Sequence, residues 1–154
     1  MLYLESINNI TLMQHAEYKT TTTTVRKIED NIFENHIIAH KTVEREHIYE
    51  VKKANLKLAN GKPYALLVTK GEFSLISAEV RAIISSKEFA QNTVAKALVT
   101  DSVADKIIGQ FYIKINKPHI TTKLFVKKDR DIAMVWLREQ LVKHAALQIQ
   151  EINK

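Results

Sequence analysis

The chain has no cysteine, and its 154 residues include only three glycines, two prolines and one tryptophan. Without thiols, disulfides, zinc–thiolate centres and cysteine nucleophiles are excluded. Gly-rich phosphate loops and dinucleotide fingerprints need glycines in a tight array, and Gly61, Gly71 and Gly109 stand too far apart to form one. No apolar run approaches the roughly 20 residues of a membrane span. Met1-Leu2-Tyr3-Leu4-Glu5 lacks the basic start and apolar core of a signal peptide, so a cytoplasmic location is expected. A Gly-x-Ser-x-Gly elbow is missing, and no two carboxylates stand out as an acid/base couple. His36 and His40 share a face of one predicted strand, but no carboxylate at ligand spacing completes a metal site. No catalytic residue, metal or cofactor is therefore expected, and the chain does not read as an enzyme.

What is present is ordinary for one soluble domain, with 45% hydrophobic and 26% charged residues. The net charge of +6 comes from 23 Lys and Arg against 17 Asp and Glu, with both signs interleaved. That interleaving reads as solvated helix faces. The densest positive stretch is Lys114, Lys117, His119, Lys123, Lys127, Lys128 and Arg130. With Tyr112 and Phe125 among them, these residues form the less favoured alternative of a nucleic-acid surface.

The clearest segment is Ala97–Val126. Ala97, Leu98 and Val99 form a short apolar run, as in a strand buried on both faces. Ser102 stands three residues before Asp105, a capping-box spacing that opens a helix. Ala104, Ile107, Ile108, Phe111, Tyr112 and Ile115 then recur on one helical face, predicting a buried stripe. Gly109 inside that helix weakens it by about 1 kcal/mol relative to Ala, which implies a close backbone approach to a neighbour. Asn116-Lys117-Pro118 stops the helix, and Thr121–Val126 alternates as a strand, with Thr122, Leu124 and Val126 on one face. Together these pieces make a βαβ unit.

Before that unit, Lys19–Arg26 is almost wholly β-branched and predicts a solvent-facing edge strand. It forms a hairpin with Ile32–Lys41 across Glu29-Asp30-Asn31. Thr42–Asn60 predicts a helix with Thr42 as N-cap and Ile48, Val51, Ala54 and Leu58 facing inward. Tyr64–Thr69 is a continuous apolar run and predicts a central strand. Lys70–Ile76 is a loop, and Ser77 opens a helix with Val80, Ile83 and Ile84 inward. Asp129 is expected to cap a long last helix carrying Ile132, Ala133, Trp136 and Leu137. A hairpin followed by alternating helices and strands predicts an α/β sandwich with a mostly parallel sheet and four helices.

The segments ALVTDSVADKIIGQFYIKINKP and TTKLFV, followed by an Ala-x-x-Trp-Leu helix, resemble small bacterial STAS-like proteins. That fold is shared by anti-sigma-factor antagonists and the cytoplasmic tails of sulfate transporters. The resemblance runs from about Tyr18 to Leu137 and rests on Ser102, Gly109, Phe111, Asn116, Lys117, Pro118, Phe125, Ala133, Trp136 and Leu137. It implies a STAS-like sandwich, an N-terminal β-hairpin followed by βαβαβα, and a non-catalytic interaction or regulatory module. The better-known members carry Asp-Ser-Ser-Gly at the start of their second helix, where a serine is phosphorylated. Ile76, Ser77, Ala78 and Glu79 fall there, so the acceptor serine is replaced by Ala78. Ser74, Ser77, Glu79 and Arg81 remain the candidates for regulatory or partner contact.

Residues 1–19 read as an N-terminal arm, 20–137 as the STAS-like domain and 138–154 as an extension of the last helix. Along the last helix Val135, Val142, Ala145, Ile149 and Ile152 sit near heptad spacing with Arg138 interrupting, which fits a homodimer contact or, equally, a longer helix docked over the sheet or the N-terminal arm. The leading expectation is a module that binds a protein partner, which the sequence does not name. The alternative is a carrier of a small molecule or lipid, with an apolar cavity between helices and sheet and a rim at the strand ends.

Overall fold

The computed structural model describes residues 16–154. The part of the predicted arm before Ala16, with its apolar Leu2, Leu4, Ile7, Ile10 and Leu12, lies outside the described residues. A six-stranded sheet organises the rest, in the order β1 (Glu17–Lys19), β2 (Thr23–Glu29), β3 (Ile32–Ile37), β5 (Tyr64–Lys70), β7 (Thr93–Thr100) and β8 (Thr121–Val126). β1, β2 and β3 are antiparallel, while β3, β5, β7 and β8 run parallel. A second, two-strand ladder pairs β4 (Thr42–Val43) with β6 (Leu75–Ile76).

Four helices cover this sheet: α1 (Arg45–Ala59), α2 (Ala78–Ser85), α3 (Val103–Phe111) and α4 (Arg130–Ile152). The expected mixed α/β architecture with a mainly parallel sheet is therefore present. Residue alternation along the strands sorts the two faces. One face carries Ile32, Ala65, Leu67, Ala95, Ala97 and Phe125, packed under Ala133, Met134 and Leu137 of α4. Alanines at Ala65, Ala95 and Ala97 let that helix lie close, and Trp136 meets Phe125 with ring centroids 5.7 Å apart. The other face carries Val25, Phe33, Ile37, Tyr64 and Leu66, and packs against α1 and α2.

The sequence places several boundaries differently. The threonine-rich strand begins at Thr23 rather than Lys19 and is not an edge strand, because β1 flanks it; Thr22 and Thr23 are buried. The helix predicted from Thr42 starts at Arg45, since Thr42 and Val43 are extended to pair with Leu75 and Ile76. There the backbone N–H of Glu44 donates to His47 Nδ1 at 3.0 Å. Asn60 closes α1 in the left-handed region at φ 49°. Strand β7 begins at Thr93, four residues before the predicted apolar run. His40 lies not on a strand but in a left-handed turn, its ring 5.5 Å from that of Phe73. Asp129 precedes α4 but makes no capping hydrogen bond.

The largest correction concerns α3. Ile107, Ile108, Phe111 and Ile115 share a face, as their spacing requires, yet all four are exposed, Phe111 to 57% and Ile115 to 66%. The helix leans on the sheet instead through Gly109, where an added Cβ would lie 2.6 Å from Leu124 Cδ2. Among the described residues β8 is the last strand on that side of the sheet, so the outer part of the stripe reaches past it. Tyr112 alone of the predicted stripe is buried. A single π-helical turn (Tyr112–Asn116) follows, and Lys117 ends it in the left-handed region at φ 46°, immediately before Pro118. Ile132 of α4 is likewise exposed, to 59%.

Candidate functional site

Between the second face of the sheet and helices α1, α2 and α3 lies a partly open cavity of about 160 Å³. Its floor follows from strand register. Asn35, Val68, Leu98 and Leu124 form one row across β3, β5, β7 and β8, and Leu66 and Lys96 belong to the next. Ile48, Val51 and Asn55 of α1, Ile84 of α2 and Ile108 of α3 complete the walls. Leu75 and Ile108 line the cavity and are also exposed, to 54% and 44%, and form an apolar mouth. A dry cavity of about 150 Å³ accepts a molecule the size of benzene.

The walls are mostly apolar but carry polar groups without protein partners. The side-chain oxygens of Asn35 and Asn55 and the Tyr112 hydroxyl are all buried and find no hydrogen-bond partner among the described residues. Buried polar groups are nearly always paired, because leaving one unpaired costs about 1–3 kcal/mol. Lys96 is 6% exposed, and no carboxylate among the described residues holds it. Burial, together with the charge of Lys52, lowers its pKa from 10.5 to about 8.

Lys52 behaves differently. Its ammonium donates to the Gln91 carbonyl at 2.6 Å, the Tyr64 hydroxyl at 3.0 Å and the Thr93 hydroxyl at 3.3 Å. It also sits 5.4 Å and 5.3 Å from the ring centres of Tyr64 and Phe89. Partial burial lowers its pKa to about 8 as well. At the other end of the cavity Lys70 donates to Asp105 at 2.8 Å, and Arg81 donates to the Ile76 carbonyl at 2.7 Å. The lining thus holds four cations against one carboxylate, and that carboxylate is already paired.

The residues singled out in the sequence are only partly brought together here. Gly109, Arg81 and Ile76 line the cavity. Ser77 caps α2, its hydroxyl accepting from the Val80 N–H at 3.2 Å, and Ser102 caps α3 by accepting from the Asp105 N–H at 3.0 Å. Ser74 is 2% exposed and donates to the Gly71 carbonyl at 2.8 Å, so a kinase would reach it only after that loop opened. Glu79 lies on the surface in an ion pair with Arg45 at 3.3 Å. Phe125 and Trp136 belong to the opposite face. The basic run is dispersed: Arg130 binds Glu34, and Lys123 lies 5.4 Å above Phe125.

Asn35, Asn55, Lys52 and Lys96 were not singled out from the sequence. Lys96 left the one usable signal, a lone lysine between alanines in an apolar strand. On the other side of the sheet, Glu34 is 8% exposed and is held by Arg26 at 2.6 Å, Arg130 at 2.8 Å and the Thr69 hydroxyl at 3.3 Å. Burial pushes its carboxyl upward, but the two guanidinium groups outweigh that and hold it below the usual carboxylate value. No group of three or more His, Asp or Glu among the described residues is placed to hold a metal ion. No described helix is long and apolar enough to cross a membrane.

Fold and cavity together define a mixed α/β domain with a mainly parallel sheet and a polar-studded apolar pocket on one face. The chain belongs to the family described as a domain of unknown function (DUF7793), matched over residues 26–141. That span takes in every cavity-lining residue except Thr23. No curated protein and no solved structure matches the chain.

Proposed function

We propose that this protein is a non-catalytic small-molecule-binding module of STAS-like architecture, a carrier or sensor whose ligand occupies the cavity between the sheet and helices α1 to α3. The observation that carries this reading is the set of buried polar groups at Asn35, Asn55 and Tyr112, unpaired among the described residues, around one mostly apolar cavity. Such groups stay buried at a cost, and a ligand supplying their hydrogen bonds removes it. The architecture supports the same reading, with a hairpin leading into alternating helices and a mainly parallel sheet whose second face is left open under α1 to α3. Native mass spectrometry of gently purified protein, beside a Leu98→Trp variant whose indole fills the cavity, tests it. A small added mass on the parent, absent from the variant, is the expected result. A bare mass for both, with no thermal stabilisation by a metabolite and fatty-acid library, overturns it.

A second reading, association with another copy of this chain, is favoured by Val135, Val142 and Ile149. They recur every seven residues along α4 and are 49%, 70% and 60% exposed. Sedimentation of the purified chain decides it: a dimer supports the reading and a monomer at all concentrations removes it.

A further inference from the structure

We infer that the cavity takes an organic monocarboxylate with an apolar body, its carboxylate set against Lys96 and its body lying along Leu98, Val68, Ile108 and Leu124. This rests on the small-molecule reading above and specifies the ligand's chemistry.

The argument begins with charge. Among the cations lining the cavity, Lys70 is held by Asp105, Arg81 by a carbonyl, and Lys52 by a carbonyl and two hydroxyls. Lys96 is the most buried of the four and the one for which the described residues supply neither a hydrogen bond nor a counter-ion. A buried ammonium is stable only when paired, and an anion is the group that pairs it. Among the described residues the single carboxylate in the lining belongs to Lys70, which leaves the anion to the ligand.

Hydrogen-bonding capacity points the same way. The Tyr112 hydroxyl, unpaired among the described residues, can donate, and the carboxamides of Asn35 and Asn55 in the same lining each carry NH2 donors. A carboxylate accepts several such bonds, whereas a neutral hydroxyl accepts fewer and brings no charge.

The remaining walls define the body. From Lys96 the floor runs through Leu98 to Thr100, four residues or about 13 Å at the rise of a parallel strand. Along that length Val68, Leu124, Ile84 and Ile108 contribute hydrocarbon walls, as do the exposed Leu75 and Ile108 at the mouth. A compact aliphatic or aromatic body fits the enclosed volume, and a longer chain leaves through the mouth.

Isothermal titration of the full chain with octanoate and with octanamide, which has the same chain but no charge, tests the proposal. Octanoate is expected to bind at least about tenfold more tightly than octanamide at pH 7, as a charge-assisted hydrogen bond implies. That preference is expected to vanish in Lys96→Met, which keeps the volume of the side chain and loses its charge. It is also expected to fade in the parent as the pH rises through about 8. Equal affinity for the two probes overturns the carboxylate assignment and leaves the cavity reading intact. Failure of both to bind the parent, with benzoate also failing, overturns the two together. Retention of the octanoate preference in a folded Lys96→Met variant overturns the role of Lys96.

Discussion

Gly109 and Leu124 lie in such contact that a Cβ on the glycine would stand 2.6 Å from the leucine Cδ2. Gly109→Ala should therefore have opposite signs in two backgrounds. In the parent it should destabilise by up to about 2 kcal/mol, the cost of overpacking against Leu124 less the roughly 1 kcal/mol of helix propensity gained. In a Leu124→Ala background the clash is gone and the same substitution should stabilise. Urea unfolding of the four variants measures this, and the same sign in both backgrounds would refute the contact.

Lys96→Met should raise stability at pH 7. A lysine held at about 8 when folded and near 10.5 when unfolded opposes folding below pH 8 by about 3 kcal/mol, before local relaxation. The unfolded chain binds more protons between pH 8 and 10.5, so the ligand-free parent should gain stability across that interval. Above about pH 10 the trend should reverse, because burial raises Tyr64 and pushes Tyr112 up to about 12. In Lys96→Met the rise between pH 8 and 10 should shrink. Denaturant melts at half-unit pH intervals read both limbs.

Glu34→Gln should act at the acid end. The parent carboxyl sits below its unfolded value, so its contribution is present above about pH 4.5 and lost as the pH falls through the folded value. Its guanidinium partners are 50% and 39% exposed, so the expected loss at pH 7 is about 1–2 kcal/mol, below that of a fully buried pair. The variant should show a flatter acid limb than the parent. An unchanged limb would remove Glu34 from the account of acid stability.

Removing residues 143–154 should leave the domain folded. The last fully buried residue of α4 is Leu137, with Leu141 packed at the margin of the same cluster. The truncated chain should keep its unfolding midpoint within about 0.5 kcal/mol, as surface changes do. If the full chain is a dimer through α4, sedimentation should show the shortened chain to be monomeric. A large loss of stability in the monomer would show that the overhang packs on the fold.

Much of this architecture was legible because the local signals agreed with the tertiary ones. Thr121–Val126 alternates between a proline-bearing turn and a basic cluster, and it forms a strand over those six residues. Gly109 announced a close approach, and Leu124 supplied it. The α3 stripe failed for a physical reason: periodicity states which residues share a face, whereas burial depends on what lies across from it. Thr42 was read as a cap because the short ladder to Leu75 and Ile76 has no local signature. Lys96 is hidden because the apolar run Ala97-Leu98-Val99 starts one residue after it, while the strand itself begins at Thr93. Asn35 and Asn55 meet only through the pairing of distant segments, which a single sequence does not display.

The margins of the sheet bear on how copies of this chain can meet. Among the described residues β1 offers three residues along one border, and on the other β8 carries Lys123 outward while α3 leans over Leu124. A short strand and a charged one are poor templates for adding a further chain. Growth by strand addition, the route to fibrils, is thereby discouraged at both borders, and contact between copies falls to a helix surface instead.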